Sequence, residues 1–198
     1  MVGTVAALLI FLAVYNTHAT NNPENTWHEG SLVLSDKQVL KGEIVVQGAF
    51  DLVLFREEGE NFTIFPAHKL KSVSLYDEHA DINRKYVTRK VHSKGLFVYR
   101  MYEVVVHGEV EVLRRQIVKN HHGGLSDKYD FDYFVVAQHG IVALNRFRED
   151  VYPWMMTVCP AELKAYRKQN HLNPNLRADA IQMILFFNKA YPKLLASR

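Results

Sequence analysis

Trp27-His28-Glu29-Gly30-Ser31-Leu32-Val33-Leu34, a turn at Ser35-Asp36-Lys37, then Val39-Leu40-Lys41-Gly42-Glu43-Ile44-Val45-Val46: the reading of this stretch decides the fold. Apolar or alternating runs of four to eight residues, bounded by Gly, Asp and Ser, have the period of strands and not of helices. In the second run Leu40, Gly42, Ile44 and Val46 share one face and Val39, Lys41, Glu43 and Val45 the other. A glycine inside such a strand marks a bulge, a bend or a close backbone approach. Asp51-Leu52-Val53-Leu54-Phe55, Phe62-Thr63-Ile64-Phe65 and the alternating Ser72–Tyr76 continue the pattern past a charged turn at 56–61 and a break at Pro66–Leu70. Residues 27–76 therefore read as a five-stranded antiparallel meander or small barrel.

Working outward, the preceding residues read as an export signal. Val5–Tyr15 is an uninterrupted apolar run, and Thr17 and Ala19 are small residues suited to signal-peptidase cleavage. As a helix the run would span about 16 Å, roughly half of a ~30 Å hydrocarbon core, so it is a poor membrane span. Met1–Thr4 carries no Lys or Arg, and no cysteine stands at the end of the run. The expectation is a signal over 1–19 and a polar leader over 20–26. The mature chain would then be periplasmic, envelope-associated or secreted, with no transmembrane span.

On the other side, 77–95 changes from acidic (Asp77, Glu78, Asp81) to basic (Arg84, Lys85, Arg89, Lys90, Lys94). It reads as a linker or a lysine-guarded edge strand, with an anion-binding face as the functional alternative. Residues 96–144 read as hairpins. Phe97, Tyr99, Met101 and Val105 fall on one face, and a turn at His107-Gly108 would bring Val110 and Val112 to the same side. A second hairpin joins Tyr133–Ala137 to Ile141–Leu144. Residues 145–198 read as two or three short helices: one capped by Asn145 and kinked by Pro153, one started by Pro160, and one from Leu176 to Tyr191 with Ala180, Ile181, Ile184, Leu185, Asn188 and Tyr191 in a stripe. The fold class is mainly β with a C-terminal helical tail.

Composition bounds the chemistry. The 198 residues are 48% hydrophobic with a formal charge of +3, a globular balance that permits an anionic surface as partner without requiring one. Nucleic acid is not expected. Cys159 is the only cysteine, which removes disulfides, zinc knuckles and dithiol redox chemistry, and beside Pro160 it reads as a small buried apolar residue. Ten histidines invite a metal site, and His121-His122 with Asp127, joined by His107 and His139, is the best grouping. It lacks helical ligand spacing. There is no phosphate-binding glycine loop, nucleophile elbow or His-Glu-x-x-His motif. No catalytic, cofactor-binding or metal residue is therefore assigned, and no cofactor.

The rhythm of strand, Asp turn, Val39-Leu40-Lys41-Gly42-Glu43-Ile44, second hairpin and final alternating strand resembles the Sm-like small barrel, with Asp36-Lys37 where the usual turn has Asp-Gly. Trp27-x-x-Gly30-x-x-x-Leu34, Met101–Leu113, Tyr133-Phe134-Val135 and the end containing Ile184–Asn188 and Tyr191 together resemble the exported β-rich proteins abundant in Bacteroidetes bacteria. That likeness spans most of the mature chain and implies an envelope or secreted location, without a reaction. Two functions stand as expectations: a non-catalytic binding or structural module meeting an envelope protein or anionic surface, and a metal protein or enzyme built on the 119–130 loop.

Overall fold

A computed structural model describes residues 26–57, 61–118, 129–137 and 140–196, with side chains except for Tyr129 and 192–196. Ten strands form one sheet: β1 (His28–Leu34), β2 (Val39–Gln47), β3 (Leu52–Arg56), β4 (Thr63–Pro66), β5 (Leu70–Asp77), β6 (Ile82–Ser93), β7 (Leu96–Val106), β8 (Glu111–Val118), β9 (Tyr129–Ala137) and β10 (Gly140–Ala143). Their order is β10-β9-β8-β7-β6-β5-β1-β2-β3-β4, with every neighbouring pair antiparallel. The meander is broken once, where β5 returns to the free side of β1. The small barrel expected over 27–76 does not close: β4 stays at one edge of the sheet instead of pairing back. The 77–95 segment contributes β6, paired with β5 along Asp77–Ser72 and with β7 along its outer two thirds.

The register explains how the sheet holds both oil and charge. Directly opposed residues of antiparallel strands point to the same side. The row Leu40, Leu32, Val73, Tyr86, Glu103, Arg114, Tyr133 therefore crosses one face from β2 to β9. Its aliphatic end joins Ile44, Val53, Phe55, Leu75 and Met101 in a buried cluster. Next to it on the same face Gly30 stands opposite Gly42. A Cβ on Gly30 would lie 2.3 Å from the Ser74 carbonyl oxygen, and one on Gly42 2.4 Å from that of Arg56. Both glycines thus permit a close backbone approach, one of the three roles open to a strand glycine.

At the other end of this face lies the helical layer: α1 (Phe147–Asp150), α2 (Tyr152–Val158), α3 (Pro160–Gln169) and α4 (Arg177–Ala196). Phe147, Met155, Leu163, Met183, Ile184 and Phe187 are fully buried there with Val112 and Val135 of the sheet. Four helices replace the two or three expected. Pro153 sits in the first turn of α2, where its missing N–H costs nothing, so it starts a helix where a kink was expected. Asn145 lies in a 3-10 turn, Leu144–Arg146, and caps no helix. α4 continues through Pro192. Its buried stripe includes Met183 and Phe187, whereas Leu185 is exposed.

Asn188 of α4 reaches the turn between β7 and β8, accepting from the Val110 N–H at 3.0 Å and donating to the Val110 carbonyl at 2.9 Å. A Cβ at Gly108 would overlap its amide at 2.4 Å. The turn at Ser35–Gln38 also carries a departure with a cost. Lys37 takes φ 78°, the left-handed position that glycine fills without penalty. Lys37→Gly is expected to raise stability by about 0.5–1 kcal/mol, the strain relieved exceeding the extra freedom gained by the unfolded chain. A urea melt checks this; a destabilised variant would contradict it.

Candidate functional site

Three features are prominent: buried ion pairs, a cleft and a projecting arm. Asp51 and Glu103 are the buried carboxylates among the described residues. Glu103 accepts from Arg84 at 2.7 Å and from Arg114 at 2.7 and 2.9 Å, and Arg84 also holds Asp77 at 2.8 Å. The Arg114 guanidinium lies over the Phe131 ring, 4.4 Å from its centre. Burial pushes the Tyr86 phenol far up and the negative Glu103 adds to this, so it stays protonated. Two acids and two arginines balance in this network. It ties β5, β6, β7 and β8 together and leaves no carboxylate idle for acid–base chemistry.

Asp51 acts where the sheet forks. Pairing of β7 with β8 stops at Glu103 and Arg114, and the 3-10 turn Gly48–Phe50 enters the gap behind it. Asp51 accepts from the Met101 N–H at 2.8 Å, from Arg100 at 2.6 Å and from Arg115 at 3.1 Å, while Arg115 also donates to the Ala49 carbonyl at 3.2 Å. The β2–β3 connection is thereby bolted to the sheet's far half.

The cleft, about 420 Å³, opens between β9 and the turn leading into α4. Phe131, Tyr133, Pro174 and Leu176 give it apolar walls, with Asp132 and Arg177 as its charges. Arg177 stacks on Tyr133 at 4.6 Å from the ring centre. These groups can cradle a small ligand, but they include no nucleophile paired with a base.

The arm is the outer part of the β6–β7 hairpin. Pairing with β5 ends at Val87 and pairing with β8 ends at Glu103, so six pairs, Thr88↔Met101 to Ser93↔Leu96, lie beyond the strand pairing with either neighbour. At about 3.3 Å per residue this is ~20 Å of hairpin. Lys94 (φ 49°) and Gly95 (φ 81°) close it as a two-residue turn with both residues left-handed, the geometry matched to strand twist. Leu96 and Phe97 are each 69% exposed and Tyr99 44%. The Lys90 ammonium lies 4.8 Å from the Phe97 ring centre, and His92 meets that ring edge-to-face. A basic run with interleaved β-formers was legible in 84–94, with neither parity cleanly apolar. The exposed tip was missed because the reading divided the chain at Gly95 and placed Phe97 and Tyr99 on a strand face of the next hairpin, although Lys94-Gly95 is itself a turn signal.

Of the histidine grouping, His121, His122, Asp127 and His139 lie outside the described residues. His107 is 78% exposed and 3.2 Å from Glu111. Among the described residues no three His, Cys, Asp or Glu side chains converge as a metal site. Within the basic stretch Arg84 belongs to the Glu103 network and Arg89 pairs with Glu111 at 2.9 Å. Lys85, Lys90 and Lys94 are exposed.

Cys159 is fully buried against the helical core, as its neighbourhood predicted. Burial raises its thiol above the ordinary range, and the adjacent Glu162 carboxylate raises it further. Native protein is expected to react with a thiol reagent such as Ellman's on the timescale of unfolding, and within the mixing time in denaturant. Rapid native labelling would show an open path to it. No described helix is long and apolar enough to cross a membrane. Comparison with family models, curated proteins and solved structures finds no match for this chain.

Proposed function

We propose that the protein is an exported, non-catalytic β-rich binding or structural module of the cell envelope, which meets its partner through the β6–β7 arm. The observation that carries this reading is the arm itself. Scattered single apolar residues on a surface are ordinary, but Leu96 and Phe97 are consecutive, each 69% exposed, and stand beside the turn of a hairpin whose outer six pairs lie beyond the strand pairing with β5 and β8. The buried carboxylates, in contrast, are engaged by arginines and shape the scaffold. Export rests on the apolar run Val5–Tyr15 and the small residues at Thr17 and Ala19.

Cell fractionation with N-terminal sequencing tests the location. The expected result is a mature chain beginning at Thr20 in a periplasmic, envelope or extracellular fraction. Recovery from the cytosol with Met1 retained would overturn it.

A further inference from the structure

We infer that the tip of the β6–β7 arm is a reversible anchor for an anionic lipid bilayer, with Leu96 and Phe97 entering the acyl boundary while Lys90 and Lys94 sit among the headgroups. The inference deepens the reading of the arm as the partner-binding element, but it needs no particular route of export.

Charge complementarity selects this partner. From Arg84 through Tyr102 the chain holds Arg84, Lys85, Arg89, Lys90, Lys94 and Arg100 without one Asp or Glu. Arg100 at the arm's base is held by Asp51, itself shared with Arg115, and Arg89 by Glu111. The 3-10 turn packed beside β7 adds His68, whose ring lies 6.4 Å from Tyr99, and Lys69. Every charge carried by the outer arm is therefore positive, and the carboxylates its arginines touch among the described residues, Asp51 and Glu111, are engaged in those pairs.

Residues along the arm fall at levels that suit a bilayer surface. The turn with Lys94 and the two apolar residues beside it come first, at the far end; Leu96 and Phe97 point to opposite sides of the hairpin, and the long Lys94 stem reaches back to the headgroups. Lys90 and Tyr99 face each other four residues back from the turn, about 13 Å along the hairpin, where the acyl layer gives way to headgroups. Tyr at that level resembles the aromatic belts of membrane proteins. Lysines on an unpaired edge also guard against strand-to-strand association, but a guard requires no exposed Leu-Phe pair at its tip. Two apolar side chains alone give weak partitioning, and a few lysines alone give weak attraction. Acting together they give salt-sensitive, reversible binding.

The test uses the protein as purified from its cells, its N-terminus determined, and unilamellar vesicles of phosphatidylcholine with or without phosphatidylglycerol. Phe97→Trp places a reporter at the tip, read by subtracting the parent's emission, so that binding through any other segment leaves the difference unchanged. The expected result is a blue shift of the difference emission from the introduced indole and its quenching by brominated lipid, with phosphatidylglycerol vesicles only, reversed by high salt. In co-sedimentation Lys90→Gln and Lys94→Gln should each weaken partitioning about fivefold, and Leu96→Ser with Phe97→Ser about tenfold or more. Circular dichroism of these surface variants should match the parent.

No blue shift, or partitioning unchanged by the Leu96/Phe97 pair, would overturn the inference. So would tip-independent, lysine-dependent binding to polyglutamate or single-stranded DNA in place of vesicles, which would assign the arm to a soluble polyanion. A cytosolic protein that still binds vesicles would sink the export reading alone, and an exported one that does not would sink this inference alone.

Discussion

Glu103→Ala is expected to lower unfolding free energy by about 3–4 kcal/mol, the range for removing one member of a buried ion pair. The loss comes from what remains: Arg114 keeps no acid partner and Arg84 keeps only Asp77, in a row flanked by the apolar clusters. A double variant with both Glu103 and Arg114 changed to Met should recover much of the loss, because Arg84 stays paired and the apolar row becomes continuous. Denaturant melts of the two variants decide this, and a Glu103→Ala cost under about 1 kcal/mol would show that water already screens the network.

The same network predicts an acid limb. Burial pushes the Asp77 carboxyl up, but the Arg84 guanidinium and the Ala80 N–H outweigh it and hold the group below its ordinary value. A lowered folded value stabilises the protein fully above the unfolded value of about 3.9, and that contribution is lost as pH falls below it through the folded value. Asp77→Asn should flatten this limb of a stability–pH curve.

Asp51→Ala is the second large effect, at about 3 kcal/mol. Asp51 sits at φ 58°, where alanine is strained, and its carboxylate serves the Met101 amide and two arginines. Arg100 is 38% exposed, so water recovers part of its share, while Arg115 has its Nε buried without an acceptor and depends on Asp51 and the Ala49 carbonyl. Asp51→Asn separates the contributions. Asparagine tolerates the left-handed backbone and can still accept from Met101, so a smaller cost of about 1–2 kcal/mol is expected. Equal costs for Ala and Asn in urea melts would assign the whole effect to charge.

Much of the fold was legible because its information is local. The Asp36 turn, the alternation in β2 and β5, and the glycines within β1 and β2 each encode their geometry within a few residues. Val105 shows where that ends. Parity places it with Met101, but a bulge between Val104 and Val106 turns Val106 inward beside Val112 and leaves Val105 exposed. A bulge is one extra residue with no obligatory sequence signature. Asp51 was equally opaque: it read as the polar start of an apolar run, and its partners lie 49 to 64 positions away. At the candidate site the basic residues could be read, but which of them are neutralised depends on register across four strands. Lys90 and Lys94 became distinguishable from Arg84 and Arg89 only once the strands were paired.

The Asn188 contact joins distant parts of the chain. The backbone of Val110 takes its partner from 78 positions downstream. Until α4 docks, that turn has only water to bond with, and the apolar floor made by Val110, Val112 and Val135 is uncovered. Docking of α4 thus pairs the Val110 backbone and covers that floor in one event. Hydrogen exchange at the Val110 amide times that docking during refolding.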